Sequence, residues 1–234
     1  MYEAGCCLKN RFNHRWNVNA KEALKIQERL AKKVRISNGL SRLDLIGGAD
    51  VAYSQTKTFA VVIVLDFKSL KVVARSFGVA PLVFPYIPGL LSFREGPALL
   101  RAFEGLKVDP DLVIFDGQGV AHPRGLGVAA HMGVLLDMPT IGCAKSKLIG
   151  EYEEPGAERG RYSSLWIGGK ESGVVLRTKK GVRPVFVSPG HLVDIPTSAS
   201  IVLKVCQGYR LPEPTRQAHI EVEKFKKADE AMRC

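Results

Sequence analysis

Three carboxylates stand on segments that could bring them together: Asp50, Glu95 and Asp116. Asp50 lies in the apolar run Leu45-Ile46-Gly47-Gly48-Ala49-Asp50-Val51-Ala52-Tyr53. Asp116 closes the run Leu112-Val113-Ile114-Phe115 and is followed at once by Gly117-Gln118-Gly119. Glu95 sits in Ser92-Phe93-Arg94-Glu95-Gly96-Pro97. A carboxylate on or beside a buried strand is costly unless something pairs with it. Where several converge, a divalent metal ion is the usual partner. Each acid also has a plainer reading. An Asp before Gly often only closes a turn, and Ser92 to Glu95 matches a capping box in which Glu95 would merely hold a helix start. Asp50, amid apolar residues with no turn signal, has no such local role.

Other groups add possible chemistry. Lys145 ends the run Thr140-Ile141-Gly142-Cys143-Ala144; beside a phosphate its ammonium would stabilise charge developing in a transition state, and elsewhere it is a solvated surface lysine. In Pro85-Tyr86-Ile87-Pro88-Gly89, two prolines stiffen a loop around an aromatic side chain. That loop is either a packed turn or a wedge that stacks on bases while a nucleotide leaves the helix. His122 in a loop and His219 after Pro212-Glu213-Pro214 carry little signal alone. Gly125-Leu126-Gly127-Val128-Ala129-Ala130 matches the dinucleotide fingerprint, but it does not follow a strand directly. The next strand also ends in Lys145 rather than an acid, which argues against a nicotinamide or flavin site.

The elements that must position these groups follow from periodicity and punctuation. Asn19-Ala20-Lys21-Glu22 reads as a capping box opening a helix to about residue 34, with Ala23, Ile26, Leu30 and Val34 on one face. Three closely spaced strand candidates, 43–53, 59–67 and 71–80, predict an antiparallel meander. A helix over 92–106, a strand over 111–116, a helix over 126–137 and a strand over 140–145 predict parallel pairing through right-handed crossovers. Further strands fall at 164–167, 173–178 and 185–188, and helices at 197–207 and 214–230. This order is that of an α/β, ribonuclease H-like mixed sheet flanked by helices. Its first meander strand and first crossover strand should be neighbours, bringing Asp50 and Asp116 together. A basic leader over 1–18 and a single domain over 19–234 are expected.

Composition narrows the chemistry. The chain of 234 residues holds 34 Lys and Arg against 23 Asp and Glu, a formal net charge of +11. That excess favours a polyanionic partner, most simply nucleic acid. Cys6, Cys7, Cys143, Cys206 and Cys234 form no CxxC pair and no zinc spacing, which is usage suited to a reducing compartment. No apolar stretch reaches the roughly 18–20 residues of a membrane span, and the N-terminus lacks a signal-peptide core. A cytoplasmic protein without membrane contact is expected.

Across these motifs the chain resembles the endonuclease V family. The matching segments run in family order: Gly48 to Tyr53, Pro85 to Pro97, Asp116-Gly117-Gln118-Gly119 with His122-Pro123-Arg124, Gly142 to Ser146, and Leu211 to Arg216. Cys143 stands where the family often has a small apolar residue. The resemblance implies an endodeoxyribonuclease that depends on magnesium, with manganese substituting. It would cleave the second phosphodiester 3′ to a deoxyinosine and leave 3′-hydroxyl and 5′-phosphate ends. It makes Asp50, Glu95, Asp116 and His219 metal-site residues and Lys145 an active-site lysine. The wedge becomes Pro85, Tyr86, Ile87 and Pro88, and the hypoxanthine pocket is formed at Gly89, Leu91, Gly117, His122, Val128 and Gly142. It implies a monomer acting on DNA that contains deoxyinosine, with inosine-containing RNA as another substrate. Two alternatives stay open on the residues themselves: another ribonuclease H-like nuclease, such as a junction resolvase or RNA–DNA hybrid nuclease, and a binding module that keeps the fold without catalysis.

Overall fold

The computed structural model describes residues 13–232. One strand in from the edge of its sheet lies β2 (Lys57–Asp66), whose run Phe59 to Leu65 is apolar at every position and buried on both faces. Such a strand must be covered twice. β1 (Leu45–Tyr53) pairs antiparallel with β2, and β2 with β3 (Val72–Pro81), as the meander predicts. β4 (Leu112–Phe115) and β5 (Thr140–Ala144) then run parallel beside β1. β6 (Tyr162–Ile167), β7 (Lys170–Leu176) and β8 (Val185–His191) extend the sheet antiparallel past β5, giving the order β3-β2-β1-β4-β5-β8-β7-β6. The fold is the expected ribonuclease H-like mixed sheet.

Side-chain alternation along the strands divides the core into two layers. Ala60, Val62 and Val64 join Ala49, Val113 and Phe115 beneath α1 (Ala20–Ala31), α2 (Leu91–Glu104) and α3 (Val128–Leu136). Phe59, Val61, Ile63 and Leu65 join Ile46 and Ile114 beneath α4 (Ile195–Lys204) and α5 (Glu213–Ala231). Gly48 lets α5 close on β1: a Cβ there would lie 2.1 Å from the Pro214 carbonyl carbon. That close approach brings the first turns of α5 to the middle of β1, where Asp50 lies.

The Asn19–Glu22 capping box is present in α1, which ends at Ala31 rather than near Val34. Its buried face holds Ala23, Gln27 and Leu30; Ile26 and Val34 are only partly buried. Residues 1–12 of the expected basic leader lie outside the described residues. From residue 13 onward the segment packs on the domain, with Trp16 against Phe93 and His131. Among the described residues no helix is long and apolar enough to cross a membrane.

Candidate active site

The register of β1 on β4 ends at Ala49 opposite Phe115, so Asp50 and Asp116 follow side by side on adjacent strands. The Asp116 amide still donates to the Ala49 carbonyl at 3.3 Å, which holds the two acids at the same level. Glu95 arrives from the second turn of α2. Asp50, Glu95 and Asp116 line one recess of about 10 Å³, room for about one water-sized sphere.

Each acid has its own protein partner. Asp50 shares its strand face with Ile46 and Ala52, under α5, and its Oδ2 lies 2.7 Å from His219 Nδ1. Asp116 forms an ion pair with Lys145, just past the end of β5. Glu95 Oε1 accepts from the Tyr53 hydroxyl at 2.5 Å. The capping-box reading of Glu95 does not hold. The N-cap of α2 is Leu90 with no side-chain cap bond, the Ser92 hydroxyl is paired with His131, and Glu95 points into the recess.

Burial and mutual repulsion dominate the electrostatics. Burial first, then the neighbouring Asp116, push Asp50 up to about 6 against the pull of His219. Burial pushes Glu95 up to about 8; the Tyr53 hydrogen bond lowers it, while Asp50 and Asp116 raise it. Burial opposes the Lys145 charge, but Asp116 and Asp50 outweigh it and hold that ammonium above its ordinary value. Among the described residues no group of three or more His, Cys, Asp or Glu side chains is arranged to hold a metal outright. The donor chemistry nevertheless fits a hard divalent cation: three mostly buried carboxylates, with Asp116 raising both Asp50 and Glu95, and an imidazole beside them.

Next to the recess opens a cavity of about 310 Å³, at the small end of the roughly 300–1,000 Å³ of ligand pockets. Asp116, Lys145 and Val128 line it, and so do Gly89, Leu91, Gly117 and His122. Gly142 does not line it. It lies behind the Gly117–Gly119 turn, where a Cβ would come 2.2 Å from the Gly119 nitrogen; its smallness lets that turn lie on β5. Pro85, Tyr86, Ile87 and Pro88 form the loop between β3 and α2 at the cavity mouth, with Tyr86 69% exposed. The loop is pinned at the Gly89 carbonyl. That oxygen accepts from His122 Nε2 at 2.9 Å, Arg124 Nη2 at 2.7 Å and Gln27 Nε2 at 3.0 Å. Burial and the adjacent Arg124 hold His122 down to about 4, so it is a neutral donor at this carbonyl.

Several of these groups escape a sequence reading. Gln27 is a polar residue at a buried helical position between Ala23 and Leu30, a signal that was available in the helical spacing. Tyr53 is the end of an ordinary strand, and nothing local marks its bond to Glu95.

The Endonuclease V family model matches residues 28–220. An Endonuclease V of Methanothrix thermoacetophila is 48% identical over 213 residues, 91% of this chain and 95% of its own. The Endonuclease V structure from Streptomyces avermitilis superposes with a TM-score of 0.87 at 41% identity, over 92% of this chain and 96% of that one. That of Ciona intestinalis, bound to a 24-mer DNA containing an inosine followed by a ribo-adenosine, gives 0.77 at 28% identity, over 89% and 98%. With a family match spanning most of its length, and with close relatives covered almost end to end, this chain belongs to the Endonuclease V family.

Proposed function

We propose that the protein is a magnesium-dependent endonuclease, with manganese substituting, that recognises deoxyinosine in DNA. It hydrolyses the second phosphodiester on the 3′ side, leaves 3′-hydroxyl and 5′-phosphate ends, and so initiates repair. It acts as a monomer in the cytoplasm. The observation that carries this reading is that Asp116 and Val128 line both the acid recess and the cavity beneath the Tyr86 loop. A base held in the cavity would place the phosphates that follow it beside the acids. The inosine-containing DNA in the Ciona relative supports the same substrate. The basic surface supplies phosphate contacts.

Asp50, Glu95 and Asp116, with His219 beside Asp50, would hold the metal. When bound, the cation supplies charge neutralisation at the phosphate and a more acidic water. Lys145 places an ammonium where negative charge develops on the phosphate. The Tyr86 loop, anchored at Gly89, fills the space that the departing base leaves. Backbone donors around the cavity pair with the hypoxanthine oxygen; an adenine amino group would leave them unpaired.

The test is nicking of matched DNA and RNA strands carrying one inosine, with magnesium and with chelator. Asp50→Ala and Asp116→Ala should lose nicking while still binding the strand. Magnesium-dependent turnover at the parent rate in either variant would overturn the metal-site assignment. Cleavage of branched duplexes in preference to inosine strands would favour a junction nuclease.

A further inference from the structure

Ser92 lines the cavity and ends a hydrogen-bond chain that runs through the buried His131 to the partly buried His14. The direction of that chain follows from its far end. The Arg15 carbonyl can only accept, so His14 Nδ1, 2.8 Å away, carries a proton. Both imidazoles are neutral. Burial pulls His14 below its ordinary value, and burial with the two other histidines nearby pulls the fully enclosed His131 well below. A neutral His14 protonated on Nδ1 has a bare Nε2, which accepts from His131 Nε2 at 2.8 Å. His131 Nδ1 is then bare as well, and it accepts the Ser92 hydroxyl proton at 2.9 Å. Trp16 stacks on the His131 ring and Phe93 meets it edge-on, which holds the imidazole against rotation.

The Ser92 proton is thus committed inward, so toward the cavity that Ser92 lines its oxygen can act only as an acceptor.

We infer that the His14–His131–Ser92 chain makes Ser92 an acceptor-only reader of the base, selecting purines that carry a proton on N1. This rests on the proposed inosine substrate. Hypoxanthine has an N1–H that such an oxygen can accept. Adenine has a bare N1, whose lone pair would face another lone pair. Main-chain donors read the 6-position, whereas Ser92 reads the neighbouring ring nitrogen. Ser92 is the specificity residue and His131 a positioning residue that denies it the option of donating.

The test measures binding, in calcium, of single strands carrying deoxyinosine, 1-deaza-deoxyinosine (a C–H in place of N1–H) or deoxyadenosine. Thermal unfolding of each variant confirms its fold. The parent should prefer deoxyinosine over the 1-deaza analogue by about fivefold to tenfold, as one buried hydrogen bond implies. Ser92→Ala, which removes a single oxygen, should erase that preference. His131→Phe frees the hydroxyl to donate, so it should narrow the deoxyinosine-to-deoxyadenosine ratio; adding it to Ser92→Ala should change nothing further. Ser92→Ala keeping the full preference over the 1-deaza analogue overturns the inference. So does a parent protein that favours deoxyinosine over deoxyadenosine yet ignores the 1-deaza change, and that outcome leaves the proposed function standing. A parent protein with no preference for deoxyinosine over deoxyadenosine overturns both.

Discussion

The Tyr53 hydroxyl donates to Glu95 at 2.5 Å, so the last residue of β1 lowers the proton affinity of an acid carried by α2. Burial pushes Glu95 up to about 8, and this hydrogen bond is the main influence pulling it down. Tyr53→Phe removes the donor, so Glu95 should hold its proton to higher pH. The acid limb of kcat/KM against pH should move upward, with a loss of about threefold to tenfold at pH 7 that alkaline pH restores. An unchanged profile would show that Glu95 does not need to ionise for turnover.

The raised acids also link stability to pH. Unfolded, both titrate near the ordinary carboxylate range of about 4; folded, Asp50 titrates at about 6 and Glu95 at about 8. Between those limits the folded state binds more protons, so stability is full below the unfolded values and is lost as pH rises through the folded ones. The metal-free protein should therefore melt at lower temperature at about pH 8.5 than at about pH 5. For a chain this size the shift is about 2–4 °C per kcal/mol. Glu95→Gln should flatten the dependence, and magnesium at high pH should raise the midpoint of the parent. Calorimetry across pH, with chelator and with magnesium, checks both signs.

Tyr86, 69% exposed at the cavity mouth, tests the wedge. Stacking is worth about 1–3 kcal/mol per base. Tyr86→Ala should weaken binding to inosine-containing duplex, while Tyr86→Phe largely preserves it because the ring does the stacking. The loss should be smaller on single strands, where less unstacking is required. Duplex binding and cutting at parent levels in Tyr86→Ala would make the loop a packed turn and nothing more.

Substrate affinity should fall steeply with salt, since each phosphate contact adds nearly one unit to the slope of log K against log salt. Lys179, Lys180 and Arg183 lie in the loop joining β7 to β8. Lys180 is paired with Glu158 at 2.7 Å across an exposed surface, where such a bridge is weak and can open to a phosphate. Neutralising all three should lower the slope, read by titrations at several salt concentrations, without changing inosine selectivity. A parent affinity insensitive to salt would count against a nucleic-acid substrate.

The sequence alone determined the order of elements, and for a physical reason. Apolar runs such as Phe59 to Leu65 can only be satisfied in a sheet covered on both faces, and short connections force the meander. The same reasoning placed Asp50 and Asp116 on neighbouring strands, because a crossover strand after a meander joins its first strand. Only the tertiary structure decided the partners. Ser92 to Glu95 satisfies the local pattern of a capping box, yet Ser92 turns to His131, 39 residues away, and Glu95 to Tyr53, 42 residues away. Gly142 could be read as a pocket residue from its place in a motif, but it serves the pocket from behind, since what matters there is the room it leaves for the Gly117–Gly119 turn. Periodicity records which face of an element is buried. It does not record which groups meet across that face, because those distances are set by how α1, α2, α3 and α5 pack on the sheet.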